Sequence, residues 1–86
     1  MALSTSHLLY NRFMIDTLRT LQFLLSRLER ISADSAVAYR ASGVRGAMLR
    51  VVEKLEAGRP VSSPDVRRLI ESGYRLLEKA AAEKIR

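Results

Sequence analysis

The sequence predicts an all-α protein: a bundle of three helices with antiparallel long helices, open to completion by oligomerisation. Three observations predict it. Apolar residues recur at helical spacing in three successive segments. The phase of that recurrence jumps between the first segment and the second. Glycine, proline and a Ser-Pro-Asp run punctuate the chain between the second and the third. Expected helices cover about 5–31, 35–57 and 64–85 of one domain spanning 1–86.

The first helix is expected to begin near Ser4, Thr5 or Ser6, any of which can cap it. Its stripe is Met14, Leu18, Leu21, Leu25 and Leu28, at spacings of 4, 3, 4 and 3 that hold one face. Phe13, Leu24 and Ile31 form a second row, so the apolar arc is wider than one two-helix seam requires. This helix is longer than its neighbours, and an overhang would carry Leu8, Leu9, Tyr10 and Phe13.

The second helix has the stripe Val37, Ala41, Val44, Met48, Val51 and Leu55. It is shifted by two residues from the continuation of the first stripe, about 200° around the axis. A straight helix would turn its two halves to opposite sides. A turn at Ser32, Ala33, Asp34 and Ser35 resolves this, with Asp34 or Ser35 capping the second helix. A continuous helix is the competing reading, since no glycine or proline marks the break. The second helix stops at Gly58, with Pro60 beyond it. The third opens with Ser63 as N-cap, Pro64 at the first position and Asp65 in the first turn. Its stripe is Val66, Ile70, Gly73, Leu77 and Ala80, flanked by Leu69, Leu76 and Ala81. The expected core is Met14, Leu18, Leu21, Leu25, Leu28, Val44, Met48, Val51, Leu55, Val66, Ile70 and Leu77.

With 86 residues the core is thin, and a partner subunit would add to it. A hydrophobic fraction of 48% with 28% charged residues fits a globular chain. No cysteine is present, which excludes disulfides and thiolate metal sites. No apolar run is long enough to span a membrane. Residues 1–7 lack the basic segment of a signal peptide, so a cytoplasmic protein is expected. Twelve arginines stand against three lysines, with one Asn and one Gln. Thermophile proteins share that pattern, and a GC-rich genome gives the same arginine bias.

Nothing points to catalysis. The one histidine, His7, lies near the expected start of the first helix, no phosphate loop occurs, and no cofactor or metal is implied. Residues 12–27, from Arg12-Phe13-Met14-Ile15-Asp16 to Leu25-Ser26-Arg27, resemble the Arg- and Leu-rich first helix of the all-helical chorismate mutases. That family's helix runs unbroken and supplies an active-site lysine. Here the nearest position holds Arg40, beyond the expected turn, and the later acidic motif has no counterpart. No active-site residue carries over, and a mutase-like enzyme stays a remote alternative.

Two binding readings remain. The first is a self-association or protein-interaction module. Gly43 and Gly46 sit mid-helix, each at a cost of about 1 kcal/mol relative to Ala. Helical projection places both away from the second stripe, beside Tyr39 and Arg50. Phe13 lies on the overhang, and Phe23 lies outside the apolar arc among Arg19, Arg27 and Arg30. The candidate interaction surface is therefore Tyr39, Gly43, Gly46, Arg50, Phe13 and Phe23. The second reading is nucleic-acid binding, for which a net charge of +6 is favourable. Arg68, Arg75, Lys79 and Arg86 fall on one line of the third helix. Arg40 and Arg45, with Arg50, occupy an acid-free stretch over 35–52. A row of charges is also what a solvated face looks like, and Glu71 stands four residues before Arg75, in the order that favours an ion pair.

Overall fold

The computed structural model describes the backbone of residues 5–85 and the side-chain surroundings of residues 12–84. Leu8, Leu9, Tyr10, His7 and Arg86 therefore lie outside the described side chains. Three helices, α1 (Thr5–Leu28), α2 (Ala38–Glu56) and α3 (Ser63–Ile85), each pack against the other two. They form an all-α three-helix bundle.

The break between α1 and α2 is real, and it is longer than the sequence suggested. The last α-type bond, Glu29 N–H to the Leu25 carbonyl at 3.0 Å, is followed by a tightening of the coil. Arg30 donates to Arg27 at 3.1 Å and Ile31 to Leu28 at 3.2 Å, the i→i+3 pattern of a closing turn. Two serines then take over the backbone. The Ser32 hydroxyl accepts from Asp34 N–H, and the Ser35 hydroxyl from Val37 N–H, each at 3.2 Å. Such local bonds compete with the helical ladder and peel the chain away from it. So α1 ends at Leu28 rather than residue 31, and α2 starts at Ala38 rather than residue 35. The expected cap at Asp34 or Ser35 is also corrected: the N-cap position is Val37, with no side-chain cap bond. Ala36 N–H donates to Glu83 Oε2 at 3.1 Å, which ties this connection to the C-terminal part of α3.

Gly58 ends α2 as expected. Its φ of +71° is the left-handed conformation that favours glycine. Gly58 N–H bonds to Leu55 and Arg59 N–H to Lys54, at 3.1 and 2.8 Å, so two otherwise orphaned carbonyls are satisfied. The start of α3 moves by one residue. Ser62, not Ser63, accepts from Asp65 N–H through its hydroxyl at 3.4 Å, and its carbonyl takes Val66 N–H at 3.0 Å. Ser63 and Pro64 then occupy the first turn, where the missing proline N–H costs nothing.

The core is built from Leu21, Leu24, Leu25 and Leu28 of α1, Ala41, Met48, Val52 and Leu55 of α2, and Leu76 of α3, with Val66 also buried. Of the expected core, Leu21, Leu25, Leu28, Met48, Leu55 and Val66 are buried. Met14, Leu18, Val44, Val51, Ile70 and Leu77 are half-buried at its edges. The correction has a common cause. Each helix faces two neighbours, so its deepest line lies between two seams. On α1 that draws in Leu24, and on α2 it turns Val52 inward while Val51 moves to the flank. Gly73 is buried where α3 crosses Met48 and Leu24.

Candidate interaction surface

The buried residues of α2 define the direction it turns to the core. At 100° per residue, Tyr39, Gly43, Gly46 and Arg50 fall within about 40° of the opposite direction. The 4-3-4 spacing that keeps them in line is the spacing of a helix seam. Tyr39 is 94% exposed. A Cβ added to Gly43 would meet nothing within 4 Å, and one on Gly46 would meet only Arg50 Nη1, at 3.9 Å. Nothing inside the bundle therefore requires glycine at either position. The Arg50 guanidinium folds back along the helix toward Gly46, and bare backbone is left at Gly43, between that group and the Tyr39 ring.

Beyond Arg50 the surface dips. Arg50, Glu53, Lys54, Ala57 and Arg59 surround an open hollow of about 390 Å³. Three of these five side chains are cationic and one is a carboxylate. Sequence reasoning missed this hollow, although its position was signalled by Gly58: the left-handed turn carries Arg59 back beside the last turn of α2.

The two phenylalanines do not join this face. Phe13 and Phe23 lie on α1, ten residues or about 15 Å of helix apart. They are 53% and 46% exposed. The Phe23 ring is already partnered, with the Arg27 guanidinium carbon 5.1 Å from its centroid.

The basic residues divide as well. Arg68, Arg75 and Lys79 are all exposed and share the outer line of α3. Arg68 Nη2 lies 3.0 Å from Asp65 Oδ1, the one ion pair among the described residues. The expected Glu71–Arg75 pair is not formed; both side chains are exposed, where such pairs gain little. Arg40, Arg45 and Arg50 stand five residues apart, so they splay around α2 by about 140° per step. Arg45 points toward a flank of the core, half-buried, with its Nε buried and without a partner. The arginines of α2 thus form no single row on that helix.

A second concavity, of about 550 Å³, opens between the 29–37 connection and the end of α3. Ile31, Leu77 and Ala80 give it an apolar floor, and Arg27, Arg30 and Lys84 part of its rim. It arises from the long connection and had no signal in the sequence. Among the described residues no three His, Cys, Asp or Glu side chains converge as a metal site would require. Among those residues no helix is long and apolar enough to cross a membrane. Comparison of the chain with known protein families, with curated proteins and with solved structures finds no match to any of them.

Proposed function

We propose that the chain is a non-catalytic helical interaction module that self-associates through the outer face of α2. One observation carries the reading. Two glycines sit in mid-helix on the outer line, with free space at Gly43, next to a tyrosine that is almost wholly exposed. Each glycine weakens the free monomer by about 1 kcal/mol relative to Ala. A second backbone approaching closely would give that cost a physical reason, because only glycine leaves the room. Light scattering on the wild type and on Gly43→Leu tests this. The wild type is expected to form a discrete oligomer, and the variant to lose it while far-UV helicity is kept. An unchanged mass in the variant would remove this face from the case.

A second reading has its own support. Arg68, Arg75 and Lys79 form an exposed cationic row on α3. Such a row suits a nucleic-acid backbone, whose recognition is dominated by phosphate charge. Arg68→Glu with Arg75→Glu should weaken binding to a duplex and flatten its salt dependence. Equal binding by the double variant would dismiss the row.

A further inference from the structure

We infer that the outer face of α1 binds single-stranded nucleic acid, with phosphates on Arg12, Arg19 and Arg30 and a base stacked on the Phe23 ring. The inference rests on neither the α2 face nor the α3 row.

The buried residues of α1, from Thr17 to Leu28, fix the direction that this helix turns to the core. At 100° per residue, Arg12, Arg19 and Phe23 fall within about 40° of the opposite direction. Arg30, in the closing turn just beyond α1, continues their line. The four side chains are exposed along about 27 Å of coil. Asp16 is the one acid of α1, and among the described residues it forms no ion pair with Arg12 or Arg19. Glu29 stands about 80° to one side. Arg68 of the α3 row, by contrast, is already held by Asp65. The α1 face thus presents guanidinium groups free to take phosphate, for which their planar fork is suited.

The ring sets the kind of polyanion. Phe23 is 46% exposed, a large apolar side chain left in water among arginines. Arg27, one turn further on, holds its guanidinium carbon 5.1 Å from the ring centroid. Ring and guanidinium together form a platform on which an unpaired base stacks. In a duplex the base faces are covered by their neighbours, and the ring would go unused. An anionic membrane fits less well. A helix lying on lipid buries an apolar face, and the apolar face of α1 is inside the bundle. The arginine line also leads to a second feature. Arg27 and Arg30 belong to the rim of the concavity of about 550 Å³, floored by Ile31, Leu77 and Ala80. That volume is within the range of small-ligand sites, so a base next to the one on Phe23 has a place to lie.

The chain contains no tryptophan, which permits a direct test. Phe23→Trp places the sole indole of the protein at the proposed stacking position. The probe is a single-stranded DNA of mixed sequence, about 16 nucleotides long, titrated at low salt into protein freed of nucleic acid. Binding should quench the indole emission. Phe23→Ala, with helicity checked by circular dichroism, should bind the strand about tenfold more weakly and bind a duplex of the same sequence as the wild type does. Arg19→Ala with Arg30→Ala should lower the slope of log affinity against log salt by about 1.4. A strand that binds without moving the indole emission, and is lost in Arg68→Glu with Arg75→Glu, would assign nucleic acid to the α3 row and overturn the inference. Equal losses of strand and duplex in Phe23→Ala would overturn the stacking. A wild type that binds phosphatidylserine vesicles but no strand would make the face a lipid surface. A wild type that binds neither would overturn the inference and leave self-association through α2 standing.

Discussion

Gly73 of α3 faces Met48 of α2 so closely that a Cβ on Gly73 would lie 2.8 Å from Met48 Cε. Leu24 Cδ1 of α1 would be 3.4 Å from that added Cβ. Among the glycines this is the one at which an added Cβ would press on the core rather than meet open space or a surface arginine. Three helices meet there, and both neighbouring side chains are fully buried. Gly73→Ala sets a helix-propensity gain of about 1 kcal/mol against displacement of the flexible end of Met48, and should leave stability nearly unchanged. Gly73→Leu has no such outlet and should destabilise by about 3 kcal/mol. Urea denaturation measures both. A Gly73→Leu variant as stable as the wild type would contradict this packing.

The start of α3 offers a sharper contrast between adjacent, chemically identical residues. Ser62 accepts the Asp65 N–H, whereas Ser63 lies within the first turn. Ser62→Ala should cost about 1 kcal/mol and Ser63→Ala only a few tenths. Thermal or urea unfolding of the two variants decides it, and the reverse order would restore Ser63 as the cap.

The α2 face predicts opposite effects on folding and on assembly. Gly43→Ala with Gly46→Ala meets no obstacle in the monomer, whose closest approach is Arg50 Nη1 at 3.9 Å. The double variant should gain about 2 kcal/mol of monomer stability from helix propensity. It should also associate more weakly, because two methyl groups per chain hold the backbones apart. A variant that is more stable and equally associated would show that the glycines serve no interface.

Much of the fold was legible in the sequence, and particular residues show why. The phase jump between Leu28 and Val37 required a break, because a continuous helix would have exposed one stripe. Gly58 ends α2 for the reason the sequence gives: its positive φ is strained for residues with a Cβ. What was not legible depends on the third helix. Leu24 and Val52 look like flanking residues on their own helices, and only the direction of the second neighbour makes them central. The length of the 29–37 connection turned on the Ser32 and Ser35 hydroxyls bonding to backbone, a local competition that periodicity does not register. On the candidate surface, helical projection alone placed Tyr39, Gly43, Gly46 and Arg50 together. The hollow beside Arg50 needed the path of the chain after Gly58, and the separation of Phe13 and Phe23 from this face needed the packing of α1.

Salt separates the two binding readings by sign. Two copies that each carry a net charge of +6 repel one another, and screening at higher ionic strength reduces that repulsion. Phosphate binding through Arg68, Arg75 and Lys79 weakens instead, because released counterions re-enter a more concentrated solution. Self-association should therefore strengthen from 50 mM to 500 mM salt, while any nucleic-acid complex dissociates over the same range.

The most direct test of the self-association account is sedimentation velocity of the wild-type chain, free of nucleic acid, across a hundredfold range of concentration at both salt levels. The account predicts a reversible monomer–dimer equilibrium that shifts toward dimer with concentration and with salt. A single monomeric boundary under every condition would contradict it.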